Sequence, residues 1–566
     1  MRRVFIAAAC ASFMSLSGQA KTLSEKEADS LLDLLLKQQG FTGQIEARLP
    51  ELMGRSLDPK LVDLGKLIFF DSGLGLHKTN SCAGCHSPTR AFGDTQPIAI
   101  GVLRNHDPNV PAIVGPGRKV PDAERNQRRS PALVNVGFYP SLMWNGRFSS
   151  NSGNPFDNKS GFSFPLPEGT GAFPPGDSRF PHLLVAQSHI PFTELPEMAG
   201  FGGLRDTPAG EAIVFSMFNS RRFSGSQPVT KRIMDVMASA TAALREPIIG
   251  DDDFKQFDDL PRPISKDDEL RKVSDRFPFV DSRNGPIRQE VSKRINSREE
   301  YRLRFSQIYP GVSDGNAIEF YMTGQALSEF QLSLSFANAP IDQFARGDRS
   351  AMGAREKQGA ILFFGRANCV SCHATSGRSN EMFSDFLSHN AGIPAIAPIF
   401  GAGKGNVPFR DSDGVQTATG RYDMGLFDMT LAAGDRFKFR TSPLRNVGLQ
   451  PHFFHNGTFN DLEKAIAYHV DPQSQHAKYD PAQNGVPADL QNRPANGGGA
   501  VLNGLAPQLD SKRGAATLTP GEIKLLAEFL DKSLTDERAR PARLIGQIPA
   551  RPDSKSPMGL PLHTFQ

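Results

Sequence analysis

Cys82-Ala83-Gly84-Cys85-His86 and Cys369-Val370-Ser371-Cys372-His373 are two copies of one signature in a single chain. Two thiols three positions apart reach the two vinyl groups on one edge of a porphyrin. The histidine that follows brings its imidazole under the iron as proximal ligand. The reading is that Cys82, Cys85, Cys369 and Cys372 attach two haems and that His86 and His373 ligate their irons. The chain has 5 Cys, and the fifth, Cys10, lies in a segment expected to be removed, so none is left for a disulfide. The alternatives are a thiol redox pair or two halves of a four-cysteine zinc site. A site of four thiolates has no need of a histidine after each pair. Two covalently bound haem c groups are therefore expected.

Working outward, each signature follows the same kind of helix. Gly65-Lys66-Leu67-Ile68-Phe69-Phe70 precedes the first and Gly359-Ala360-Ile361-Leu362-Phe363-Phe364 precedes the second. Asp58 as N-cap and Pro59 at the first helical position predict the start of the first helix, with Leu61, Leu64, Ile68 and Phe69 on its buried face. The second is predicted from about Met352 to Phe364. Thr519-Pro520-Gly521-Glu522 is a capping box, opening a helix with Ile523, Leu526, Phe529 and Leu530 on one side. The expected fold class is mainly α, with two cytochrome c-like haem domains, long loops and insertions. Residues 21–335 would form the N-terminal domain, with insertions at about 149–181 and 200–288. Residues 336–535 would form the C-terminal domain. Asp471 to Gly514, rich in Asn, Gly, Pro and Ala, reads as a further insertion with little pattern. The Pro- and Arg-rich residues 536–566 would form an extended tail over the surface.

Residues 1–20 read as a secretory signal: Arg2 and Arg3, an apolar run from Val4 to Phe13, and Gly18-Gln19-Ala20 for cleavage. The run is too short to span a bilayer, and no later stretch qualifies. Haem c is attached outside the bacterial cytoplasm, which agrees with export, so a periplasmic protein is expected. A net charge of +4 in 566 residues argues against nucleic acid or an anionic membrane as partner.

Further pieces, in order along the chain, complete a pattern. They are Leu64-Gly-Lys-Leu-Ile-Phe-Phe-Asp71, Phe92-Gly-Asp94, Ser130-Pro-Ala-Leu-Val-Asn135 and Met143-Trp-Asn-Gly-Arg147. After the second signature come His389-Asn-Ala-Gly-Ile-Pro394, Phe437-Lys-Phe-Arg-Thr-Ser-Pro-Leu-Arg-Asn-Val447 and Phe454-His-Asn-Gly457. From about Leu61 to Leu534 the chain resembles the bacterial di-haem cytochrome c peroxidase family, which includes the methylamine-utilisation enzyme. The resemblance implies that the N-terminal haem is the peroxide site, that the C-terminal haem takes in or stores electrons, and that a tryptophan relays between them. Trp144 is the single tryptophan of the chain and falls at that place. The resemblance further implies a glutamate and a glutamine over the peroxide-site haem, ten positions apart. Gln187 and Glu197 have that spacing, and a carboxylate suits the task of moving a proton from the inner to the outer peroxide oxygen.

Three positions depart from the family. The sixth ligand of the second haem, a methionine or a tyrosine in the family, lies 14 positions after the histidine of Phe-His-Asn-Gly. Counted from His455 it is His469, with Tyr468 as the competitor one residue earlier. A one-residue shift turns a helix by about 100°, so only one of them faces the iron. Methionine raises a haem potential and two histidines lower it. Secondly, the asparagine associated with calcium between the haems is here Arg129, and a guanidinium cannot ligate a cation. Bound calcium is not expected, and Arg129 is a candidate for holding haem propionates. Thirdly, His106 is the available histidine for the open side of the first haem, but it stands off the family position and reads as a surface-loop residue.

The expected function is reduction of hydrogen peroxide to water with electrons from a small cytochrome c or cupredoxin. The alternative is an oxidase or oxygenase like the methylamine enzyme, using a high-valent iron state to oxidise a partner protein or an organic substrate. The insertions and His469 favour that alternative. A non-catalytic electron carrier would need six-coordinate iron on both haems and would leave Gln187 and Glu197 idle. The oligomeric state stays open between monomer and homodimer.

Overall fold

The computed structural model describes residues 23–103, 106–116, 123–126, 128–164, 171–199, 284–396, 423–430, 432–491, 499–509 and 518–566. Residues 1–20, read as a secretory signal, and nearly all of the expected 200–288 insertion lie outside them. The fold is mainly helical, and the sheets are short, of two or three strands. No helix among the described residues is long and apolar enough to cross a membrane.

Helix α1 (Pro59–Phe70) starts as its sequence dictates. The Asp58 side chain accepts from the amides of Lys60 and Leu61, and Pro59 occupies the first turn, where an amide proton would be unsatisfied. Its buried side crosses helix α2 (Phe320–Ser333) at Gly65. A β-carbon there would stand 1.9 Å from the Ala326 carbonyl, so only glycine permits the approach. Phe69 then packs on Phe330 and Phe92 at ring-centroid distances of 5.2 and 5.6 Å.

The same construction recurs downstream. Helix α3 (Ala354–Phe364) crosses helix α4 (Pro520–Glu528) at Gly359, where a β-carbon would lie 2.1 Å from the Leu525 carbonyl. Phe363 packs on Phe529 and Phe383 at 5.4 and 5.9 Å. Asn135 and Asn446 both adopt left-handed backbone, φ 69° and 60°, and their amides donate to the carbonyls of Leu334 and Leu534. The expected capping box is present at Thr519, and α4 runs on into a wider turn over Phe529–Ser533 that buries Phe529 and Leu530.

Two expectations are corrected. The segment at 149–181 is not a patternless insertion. Phe148–Ser150 pairs with Ser141–Leu142 on one side and Phe162–Ser163 on the other, and Phe162, Phe164, Phe173 and Phe180 enter the first core. Nor do residues 536–566 lie loosely on the surface. Ala539, Leu544, Met558 and Leu562 join the same core, and Thr564–Phe565 pairs in parallel with Ile113–Val114. The Asp71 carboxylate clasps this segment, accepting from the Met558 amide at 3.2 Å and from the Tyr301 hydroxyl at 2.7 Å. Arg538, Arg540 and Arg551 of this segment are ion-paired, the last with Glu300 at 2.8 Å.

Candidate active site

Cys82–Cys85 form one helical turn that ends on His86. His86 Nδ1 faces the carbonyls of Phe92 at 3.0 Å and Pro131 at 3.1 Å. Carbonyls only accept, so Nδ1 carries the proton and Nε2 keeps its lone pair. Burial pushes the imidazole pKa down to about 4, and the ring is neutral at pH 7. His373 is held in the same way, with Nδ1 at 3.0 Å from the Phe383 carbonyl and its pKa lowered by burial. Phe92 and Phe383, which supply these carbonyls, both sit in left-handed backbone at φ 56° and 57°. Such a conformation in a bulky residue persists only where its surroundings enforce it. Burial pushes the Cys82 and Cys369 thiols up to about 12, which argues against a reactive thiol pair.

One partly enclosed cavity brings the first set of expected residues together. Cys82, Cys85, His86, Trp144, Gln187 and Glu197 all line it. Gln187 ends the short helix Leu183–Gln187, whose N-cap is the side chain of His182. Glu197 lies on a wide turn, Leu195–Ala199, in which the Glu194 carbonyl accepts the amides of Glu197, Met198 and Ala199. Asn80 Nδ2 donates to the Glu197 carbonyl at 2.7 Å and ties this turn to the attachment loop. Burial raises the Glu197 pKa to about 8, the charge of Glu194 adds to the rise, and Arg147 opposes it. Polar atoms are left for a bound group to meet: Asn80 Oδ1, Asn126 Oδ1 and Arg147 Nε, all on cavity-lining residues, have no hydrogen-bond partner among the described residues.

Trp144 joins the two helical clusters. Its indole Nε1 donates to the Arg129 carbonyl at 2.7 Å, and its own carbonyl accepts from the Arg440 amide at 2.7 Å. Arg440 Nε also donates to the Met143 carbonyl at 2.9 Å. Arg129 differs from expectation. Its guanidinium is committed to protein acceptors, the carbonyls of Gln96 and Asp94 and Gln450 Oε1, at 2.7 to 2.9 Å. His106 lies in a surface loop with Nε2 on the Val110 carbonyl at 2.9 Å and does not line the cavity.

At the second site His469 is half-buried, its Nδ1 has no partner among the described residues, and its ring centre lies 6.3 Å from that of His373. An iron about 2 Å from one nitrogen of each ring would set two imidazole centres about 6 Å apart. Tyr468 points elsewhere: its hydroxyl lies 2.6 Å from the Gly392 carbonyl and 2.8 Å from His476 Nδ1. The residues at both sites thus fit haem. Glu194 and Arg147, which face the first cavity, were given no role by the sequence. The signal available was a second acid three positions before Glu197.

The profile of the family described as di-haem cytochrome c peroxidase matches residues 59–206 and 251–350. The cytochrome-c peroxidase IdrP2 of Pseudomonas sp. (strain SCT) is 32% identical over 153 residues, 25% of this chain and 39% of that protein. The methylamine utilization protein MauG of Paracoccus denitrificans (strain Pd 1222) is 28% identical over 268 residues, 45% of this chain and 62% of its own length. The chain spans about two fifths of the length of the IdrP2 relatives it matches. The crystal structure of the diheme peroxidase BthA from Burkholderia thailandensis E264 aligns with 88% of this chain and 91% of its own, at 18% identity and a TM-score of 0.43.

Proposed function

We propose that this chain, a member of the di-haem cytochrome c peroxidase family, is a periplasmic di-haem c peroxidase that reduces hydrogen peroxide to water with electrons from a small cytochrome c or cupredoxin. The observation that carries the reading is the single cavity in which Glu197, Gln187 and Trp144 meet Cys82, Cys85 and His86. Cys82, Cys85 and His86 would hold the first haem, and Cys369, Cys372, His373 and His469 the second, each helical cluster being one haem c domain. The bound haems supply the electrons and the metal at which the O–O bond is cleaved.

The chain supplies the proton chemistry. Glu197, unprotonated, takes the proton of the inner peroxide oxygen and returns it to the outer one, which leaves as water. Gln187 donates a hydrogen bond without titrating, and so orients the substrate at every pH. Two electrons and two protons then complete the conversion of peroxide to two waters. Trp144, bonded to main chain from both clusters, is the relay between them.

The spacing of His373 and His469 favours a second reading, an oxidase or oxygenase acting on a partner protein or organic substrate. A histidine in place of methionine lowers the potential of the second haem and makes it a poorer acceptor from ordinary cytochromes. The test is peroxide-dependent oxidation of reduced cytochrome c by wild type, Trp144→Phe and Glu197→Gln. Fast turnover lost in both variants is the expected result. Peroxide consumption without cytochrome oxidation would replace the first reading with the second.

A further inference from the structure

We propose that Tyr468 and His476 are positioning residues for His469: the capture of the Tyr468 hydroxyl fixes the rotation of the helix on which both Tyr468 and His469 sit, and so selects His469 as the side chain offered to the second iron. The inference rests on the reading of His469 as the sixth ligand and deepens it.

Tyr468 and His469 are neighbours near the end of the helix Leu462–Val470. One residue is about 100° of helix rotation. A tyrosine oxygen can bind haem iron, as an imidazole can. The last turn of this helix therefore carries two competing donors, and its rotation decides between them.

The Tyr468 hydroxyl is held from two sides. The Gly392 carbonyl, 2.6 Å away, can only accept, so the phenol donates to it. The phenol oxygen in turn accepts from His476 Nδ1 at 2.8 Å. Tyr468 is 3% exposed and His476 6%, so both bonds are shielded from water.

Both partners are themselves fixed. The Gly392 amide donates to Asn390 Oδ1 at 2.8 Å, and Asn390 Nδ2 donates to the carbonyls of Val501 and Asn503 at 2.9 and 2.8 Å. His476 closes the short helix Pro472–His476. Asp471 joins that helix to the one before: its amide donates to the Tyr468 carbonyl, and its carboxylate accepts from the Ser474 amide. Phe459 packs on the Tyr468 ring at 5.2 Å between centres. With the phenol so anchored, the His469 ring lies 6.3 Å from that of His373. The segment from Asp471 to Gly514, which reads in sequence as an insertion with little pattern, thus supplies both His476 and the carbonyls that anchor the Gly392 loop.

The experiment is carbon monoxide binding to the fully reduced, haem-loaded protein, followed by stopped-flow absorbance. Carbon monoxide binds a six-coordinate haem only after a ligand leaves, so a slow phase reports the release of His469. His469→Ala is expected to abolish that phase. Tyr468→Phe keeps the ring and removes both hydrogen bonds, and it should speed the slow phase about tenfold or more without changing the fast phase of the first haem. His476→Leu should act in the same direction. His476→Asn, which keeps a polar group near the place of Nδ1, should stay near wild type. If Tyr468→Phe fails to fold, the two His476 variants decide. A slow phase unchanged in Tyr468→Phe and His476→Leu, but lost in His469→Ala, overturns the proposal and leaves His469 as the ligand. A wild type with no slow phase overturns the ligand reading and the proposal with it.

Discussion

The two helical clusters are built on the same contacts yet differ in what stands opposite the histidine. Each has a glycine pressed on a neighbouring helix, Gly65 on Ala326 and Gly359 on Leu525. Each has a phenylalanine beside the histidine, Phe69 with His86 at 6.5 Å and Phe363 with His373 at 6.4 Å between ring centres. Each has a left-handed phenylalanine whose carbonyl fixes the imidazole, and a left-handed asparagine bonded to the end of the next helix. Beside His86 lies a cavity whose lining includes the side chains of Glu194, Glu197, Gln187 and Arg147. Across from His373 lies a second imidazole. One scaffold is repeated, with a cavity lined by carboxyls beside the histidine in one copy and a second imidazole in the other, and on the proposed function this difference would separate a reaction site from an electron store.

The largest effect should come from the feature that has no counterpart in the second cluster. Glu197→Gln is expected to lower peroxide turnover about 10²–10⁴-fold while leaving both haem spectra in place. Full activity in that variant would erase the proposed division of labour. Next, His469→Met should raise the potential of one haem only, by on the order of 0.2 V, read by spectroelectrochemical titration. A shift in neither haem would remove His469 from the iron.

The shared contacts give smaller, matched effects. Gly65→Ala and Gly359→Ala should each cost about 3 kcal/mol, seen as lowered thermal midpoints, because a methyl group meets backbone rather than a movable side chain. If only one of the two destabilises, the clusters are less alike than their geometry implies. The helix caps come last. Asp58→Ala and Thr519→Ala should each cost about 1 kcal/mol in chemical denaturation.

What was legible in the sequence was local. The attachment signatures are five residues long and carry their chemistry in their spacing. Asp58-Pro59 and the Thr519 capping box announced helix starts because a cap is satisfied within a few residues of itself. The start of α3 came out at Ala354 rather than Met352, where Gly353 as N-cap offers no side chain to mark the boundary. Phe164, Phe173 and Phe180 pack in succession, at 4.6 and 5.0 Å between ring centres, and their uneven spacing along the chain fits no single helical or strand period. Glu194 was not legible either. An acid means little until its neighbours are known, and here they include Arg147, 47 positions earlier, and an attachment loop more than a hundred positions earlier. Arg129 was legible as a departure from the family, but the acceptors that absorb its charge were not, since one of them, Gln450, lies 321 residues away.

The pairing of Thr564–Phe565 with Ile113–Val114 has a consequence for the order of assembly. Phe565 packs on Phe70 at 5.9 Å, and the Gln566 carbonyl accepts from Thr89 at 3.3 Å, so the final residues close over the flank of the first attachment loop. A chain that emerges N-terminus first exposes Cys82 and Cys85 long before that flank exists. During this interval the first signature is accessible to attachment chemistry from a side that the finished protein covers. The strand Thr564–Phe565 thus completes the packing on that flank, and removing it is expected to leave the loop around Cys82 and Cys85 less firmly held.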